Sequence, residues 1–317
     1  MNDAQIQKLF LLLERLPQMR PFTSAMARAE GVGWPELRAL VALEALRHPL
    51  QGVYCSSRLA DDLAYRLEVL RLVVPPDCVV TDRTAGWLWG APMALAPNDH
   101  LVTPTVSVFA PPGRRLRNGL SSSGERRLAT RDVAEIDGLL VTTPLRTACD
   151  LGRLLHRDQS LGAMDALARL GRFDLGELSA EMDRFKGYRG VVQLRALVPL
   201  VDPKAESQAE SALRLRWVDI GLPRPRCQVP VPAPRGGLYF LDIGLEQRRL
   251  AAEYDGEEWH GDEQRAHDEE RRAWCRDHEG WTIVVVRRAN LYGRHQNAEQ
   301  LLLEGNLEAM RALRHAS

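Results

Sequence analysis

Apolar residues recur along the chain with two periods, and the switch between them marks the elements. Ile6, Leu9, Phe10, Leu13 and Leu16 have helical spacing, and Pro17 ends their run. Asn2 and Gln5 have capping-box spacing at its start. Thr23 can cap a second helix that stops at Gly31. Pro35 suits the first turn of a third helix, with the stripe Leu37, Leu40 and Leu43. Leu50 to Ser56, LQGVYCS, reads as a strand reached through a turn. Asp61 to Val74 is predicted helical, and Thr81 heads a helix ending at Gly90. Leu101 to Ala110 alternates like a strand, and a loop, PPGRR, follows. Leu139 to Val141 is a short strand. Thr143-Pro144 opens a helix, a further helix covers Asp158 to Leu170, and FKGYRG (185–190) forms a basic turn.

The last third has the clearest pattern. Ser207 to Val218 is helical. Pro223, Pro225, Pro232 and Pro234 lie around CQVPV, which reads as an edge strand with a loop on each side. Leu238 to Ile243 and Arg249 to Tyr254 are strands joined by a short turn. A charged helix covers Glu263 to Glu279, TIVVV (282–286) reads as a fully buried strand, and Asn297 to Leu313 closes the chain as a helix.

These elements predict a mixed α+β and α/β chain of three parts. Residues 1–60 have the helix, helix, helix, strand order of a winged helix-turn-helix. Residues 61–200 form an α/β middle domain. Residues 201–317 form a second α/β domain. A length of 317 residues is ample for two or three domains.

Composition narrows the class only a little. Basic and acidic residues balance at 42 each, so net charge names no partner. A protein that simply coats DNA would show a basic excess. The five cysteines are scattered, without a CxxC pair, which implies neither a disulfide framework nor a zinc finger. The N-terminal run carries charges inside its apolar stretch and lacks a signal-peptide layout, and no run is long enough for a membrane span. The expectation is a cytoplasmic protein.

The chemistry is concentrated in the two strands of the last third. Side chains alternate faces along a strand. Asp242 is expected to share a face with Phe240, opposite Leu241 and Ile243. Glu253 and Asp255 share a face opposite Ala252 and Tyr254. If the strands pair, three carboxylates converge. Crowded carboxylates repel, and something must compensate them. Lys occurs only at positions 8, 186 and 204, so a hard divalent cation, Mg²⁺ or Mn²⁺, is the expected compensator, with Asp242 and Glu253 as ligands. Glu210, on the preceding helix, is placed to complete the set, with Glu206 as its rival. His260 follows Asp255 by five residues and could handle a proton. Arg271 and Arg272 could clamp a phosphate. Near the third helix of the head, Arg38, Arg47 and His48 are the candidates for DNA contact, although Glu36 and Glu44 lie among them.

The ordered blocks ESQAESALRLRW, LDIG, AAEYDGEEWH, DEERR and GWTIVVVRR, spanning about 110 residues, resemble the very-short-patch-repair (Vsr-like) branch of the PD-(D/E)xK endonucleases. The resemblance implies a metal-dependent DNA endonuclease in which Glu210, Asp242, Glu253, Asp255 and His260 are catalytic. Asp255 stands where the wider superfamily has lysine, and Leu241 replaces the proline before Asp242. The Vsr-like branch also lacks that lysine and uses histidine chemistry.

Upstream, GVY, TDRTAGWLWG and TTPLRTACDL resemble the AbiEi-type antitoxin architecture, a winged helix-turn-helix followed by an α/β domain. That resemblance implies the alternative: a DNA-binding transcriptional regulator with a toxin as a possible partner, whose nuclease-like domain is structural or cleaves weakly. Double-stranded DNA is the expected partner on either reading, with no membrane.

Overall fold

A computed structural model describes residues 3–91, 106–110, 121–123, 126–234, 236–256 and 262–316. The chain divides into two compact units. One comprises Met1–Leu151 with Leu170–Leu178; the other comprises Gly152–Arg169 with Ser179–Ser317.

The first unit begins with α1 (Asp3–Leu13), β1 (Phe22–Thr23), α2 (Ser24–Ala29), α3 (Trp34–Ala42), β2 (Leu46–Leu50) and β3 (Val53–Ser56). Thr23 caps α2, its hydroxyl accepting the Met26 N–H at 3.2 Å. Pro35 sits in the first turn of α3, where its missing N–H costs nothing. Leu9, Leu16, Phe22, Ala27, Leu37, Leu40 and Tyr54 bury together as one core. The sheet order is β1-β3-β2, antiparallel throughout. This is a winged-helix-like head. The two-residue β1 has too little sequence to show a period.

The rest of the unit is built from α4 (Leu63–Arg71), β4 (Val79–Val80), α5 (Asp82–Trp89), β5 (Val106–Phe109), β6 (Ser121–Ser123), β7 (Val133–Ile136) and β8 (Leu139–Thr142), followed by α6 (Pro144–Leu154), whose last turn belongs to the second unit. The five strands form one mixed sheet in the order β6-β5-β4-β8-β7. Thr81 is the N-cap residue of α5, and Gly90 ends it in the left-handed region with φ 88°. Positions 101–105 of the expected Leu101–Ala110 strand, and the PPGRR loop, lie outside the described residues.

The second unit contains α7 (Arg157–Arg169), α8 (Leu175–Glu181, which begins in the first unit), α9 (Val191–Leu197), α10 (Gln208–Asp219), β9 (Arg226–Pro232), β10 (Leu238–Leu245), β11 (Leu250–Asp255), α11 (Asp262–Asp277), β12 (Thr282–Arg287), α12 (Arg288–Leu291) and α13 (Ala298–Ala316). Its sheet runs β12-β11-β10-β9. β9, β10 and β11 form an antiparallel meander, and β12 joins β11 in parallel. One face packs on α10 and α13 through Leu213, Trp217, Ile243, Ala252 and Leu302. The other packs on α11 through Val229, Leu241, Ala251 and Cys275. β12 is an edge strand with alternating exposure, not the fully buried strand that TIVVV predicts.

A buried pair ties α7 to α10: Arg214 donates to Asp165 and, at 2.9 Å, to the Cys227 thiol, and Ser211 donates to Asp165 at 2.6 Å. Burial pushes the Asp165 carboxyl up to about 6 despite these donors.

Candidate functional site

The alternation expected in β10 fails at the residue that matters. Leu241 packs with Val229 on the α11 face, whereas Ile243 packs with Cys227 on the α10 face. Gln228, across the ladder between those two pairs, has φ 51°. A left-handed residue there turns the strand and breaks the two-residue period. Asp242 sits at this break. Its Oδ2 accepts the Tyr254 N–H at 2.8 Å, just beyond the last β10–β11 pair, Ile243 with Ala252. The carboxyl thus continues a ladder that the backbone has abandoned.

Burial, then the nearby carboxylates of Glu210 and Glu253, push the Asp242 carboxyl up to about 8, against the Tyr254 N–H and Arg271. Glu210, Asp242 and Glu253 are therefore brought together, as the spacing of the strands and helix predicts. Glu210 also has a local task. It lies in the first turn of α10, where Ser207 caps its N–H at 3.1 Å, and its Oε2 accepts the Glu206 N–H at 2.8 Å. Burial raises its pKa.

Glu253 is fully buried, and both of its oxygens are already engaged. Arg271 grips it with two bonds, of 2.6 and 3.1 Å, and Arg272 Nε donates at 2.8 Å. Arg272 Nη1 also reaches Asp255 at 3.3 Å, so Glu253 and Asp255 do share a face. This corrects two expectations. The compensating charge at Glu253 is a pair of arginines from α11, where lysine scarcity had pointed to a cation. Arg271 and Arg272 are ion-paired inside the site and not held out for a phosphate. In this arrangement Glu253 has no free oxygen for a divalent ion, and among the described residues no group of three or more His, Cys, Asp or Glu side chains is disposed to hold one. His260 lies outside the described residues.

The head treats its three candidates differently. Arg38 is exposed on α3, its guanidinium 5.5 Å from the ring centre of Trp34, itself exposed. Arg47 is used internally: it donates to the Leu59 carbonyl and lies 5.0 Å over the Tyr65 ring. His48 stacks on Tyr54 at 4.3 Å, and its Nε2 accepts the Gly52 N–H at 3.3 Å. Burial lowers its pKa, which favours the neutral ring.

A second charged cluster had little signal in the sequence. Arg126 donates to Asp82 at 2.7 Å and to Asp150 at 2.8 Å; Arg146 donates to Asp150 at 2.8 Å and to Asp132 at 2.7 Å. Arg126 also lies 4.3 Å over the Phe109 ring, and Asp82 holds φ 52° at the start of α5. Only the i,i+4 pair of Arg146 and Asp150 could have been found by spacing.

Residues 78–200 match the AbiEi antitoxin C-terminal domain family, and the chain carries that domain behind its winged-helix-like head. Two uncharacterized proteins of Mycobacterium tuberculosis, from strains CDC 1551 / Oshkosh and ATCC 25618 / H37Rv, are each 33% identical to it over 237 residues, which is 74% of this chain and 83% of the relative. The chain belongs to the same family as these two proteins. Among the described residues no helix is long and apolar enough to cross a membrane.

Proposed function

We propose that this protein is a DNA-binding transcriptional regulator of the AbiEi-antitoxin type, acting on double-stranded DNA through its winged-helix head. The observation that carries the reading is the AbiEi antitoxin C-terminal domain at 78–200, preceded by a head with the order α1-β1-α2-α3-β2-β3. Within that head, α3 presents Arg38 and Trp34 to solvent, which suits a helix that enters the major groove. A toxin is the expected protein partner, and the cytoplasm the expected place of action. The test is retardation of the DNA upstream of its own coding region. Arg38→Ala is expected to weaken binding about 5- to 100-fold, as loss of one base or phosphate contact does. Asp242→Ala is expected to leave binding intact. Failure to retard any duplex at low salt would sink this reading.

One observation favours a second reading, a Vsr-like, Mg²⁺- or Mn²⁺-dependent endonuclease. Asp242 is pushed up to about 8, first by burial and then by the neighbouring carboxylates of Glu210 and Glu253. The order of elements from α10 to α13 is compatible with it. It requires Arg271 and Arg272 to release Glu253. Nicking of supercoiled plasmid that EDTA abolishes, and that Asp242→Ala with Glu253→Ala abolishes, would support it.

A further inference from the structure

The outer face of α13 is apolar where solvent alone would favour polar residues. Leu303, Leu307 and Met310 are 45%, 54% and 37% exposed. Their spacing, i, i+4 and i+7, sets them in one stripe. The stripe points away from the core face of the same helix, on which Ala298, Leu302 and Ala309 are buried. The charges beside it have an order. Glu304 and Arg311 flank the stripe on the same side, seven residues apart, or about 10 Å along the axis. That is too far for them to pair within one chain. Among the described residues Arg311 makes no ion pair, and Glu304 accepts only the Gln300 amide, at 2.8 Å.

A two-fold axis through Leu307 solves both problems at once. Antiparallel packing of two copies of α13 stacks Leu307 on its own counterpart and sets Leu303 against Met310 of the partner subunit. Residues on the same flank face each other in an antiparallel pair, so Glu304 meets Arg311 of the partner subunit, and the reciprocal pair forms at the other end. In a parallel pair opposite flanks would face each other, and Glu304 would not meet Arg311 of the partner subunit.

We infer that the protein self-associates as an antiparallel homodimer through the exposed face of α13, sealed by two Glu304–Arg311 pairs. The inference is independent of the proposed DNA-binding function. Three partly exposed apolar residues are a small core for an interface, so dissociation constants in the range of about 1–100 μM are expected.

Sedimentation of the full chain over a concentration series tests it. Wild type is expected to go from monomer to dimer in that range. Leu307→Glu and Arg311→Glu are each expected to shift the midpoint upward at least tenfold, and Glu304→Arg combined with Arg311→Glu is expected to restore it, because the charges are exchanged across the axis. Circular dichroism melts of all variants check that these exposed substitutions leave the fold intact. A wild type that stays monomeric throughout, a dimer insensitive to Leu307→Glu, or a double variant no better than Arg311→Glu would each overturn the inference.

Discussion

Both oxygens of Glu253 are held by guanidinium groups in a fully buried setting. Removing its charge takes away the shortest ion pair of both arginines and leaves only the longer contacts of Arg272 with Asp255, at 3.3 Å, and of Arg271 with Asp268, at 3.7 Å. Loss of one partner from a buried pair typically costs about 3–5 kcal/mol, so Glu253→Gln is expected to lower unfolding stability by that order in urea titrations. A change below about 1 kcal/mol would show that the arginines re-pair cheaply, with Asp255 for Arg272 and Asp268 for Arg271. Asp242 makes an opposite prediction. Its pKa in the folded chain, about 8, lies above the ordinary 3.8. Between about pH 4 and pH 8 the folded chain holds a proton that the unfolded chain has released, so stability falls as pH rises through that window, in total by an order of a few kcal/mol. Asp242→Asn keeps the neutral shape and is expected to flatten that decline. Parallel stability–pH curves for wild type and variant would contradict the placement of the three acids. The sequence showed that Glu210, Asp242, Glu253 and Asp255 belong together, because strand pairing and helix order bring them there. It did not show what neutralises them. Arg271 and Arg272 are some eighteen residues downstream of Glu253, and only the packing of α11 on β11 reveals the contact.

At the scale of elements, α13 lies close against the sheet because Gly305 faces it. A Cβ at that position would stand 2.2 Å from Val284 Cγ2, and Val284 is a β-branched residue with little freedom to move. Gly305→Ala is therefore expected to destabilise the chain by about 1–3 kcal/mol, against the usual gain from replacing a helical glycine. Equal or greater stability in thermal melts would mean that α13 can slide. Elements with long periodic runs were legible: α1, α10, α11 and α13 fall within a few residues of their expected positions. What was not legible depended on tertiary placement. Nothing local in TIVVV tells an edge strand from a central one. The face reversal at Asp242 needs the left-handed Gln228, a residue type with no special preference for that region. The Arg126–Asp82–Asp150–Arg146–Asp132 cluster joins segments far apart in the chain.

For the whole molecule, the antitoxin-type domain at 78–200 supports the proposed DNA-binding regulation. Net charge does not bear on it, since 42 basic and 42 acidic residues cancel. Any DNA contact must then come from local patches, with a salt dependence reflecting few phosphates. Log–log plots of affinity against salt are accordingly expected to have a shallower slope than those of strongly basic repressors, and Arg47→Ala is expected to act through stability, since its guanidinium serves Leu59 and Tyr65. A loss of DNA affinity in Arg47→Ala at unchanged melting temperature would reassign that residue to the interface.

The most direct measurement is to incubate the full chain with labelled duplex from upstream of its own coding region in Mg²⁺. The retarded fraction is read first, and the integrity of the DNA is read after the protein is stripped. The account predicts a retarded and intact duplex, with binding weakened by Arg38→Ala and untouched by Asp242→Ala. No retardation, or EDTA-sensitive cutting that Asp242→Ala abolishes, would contradict it.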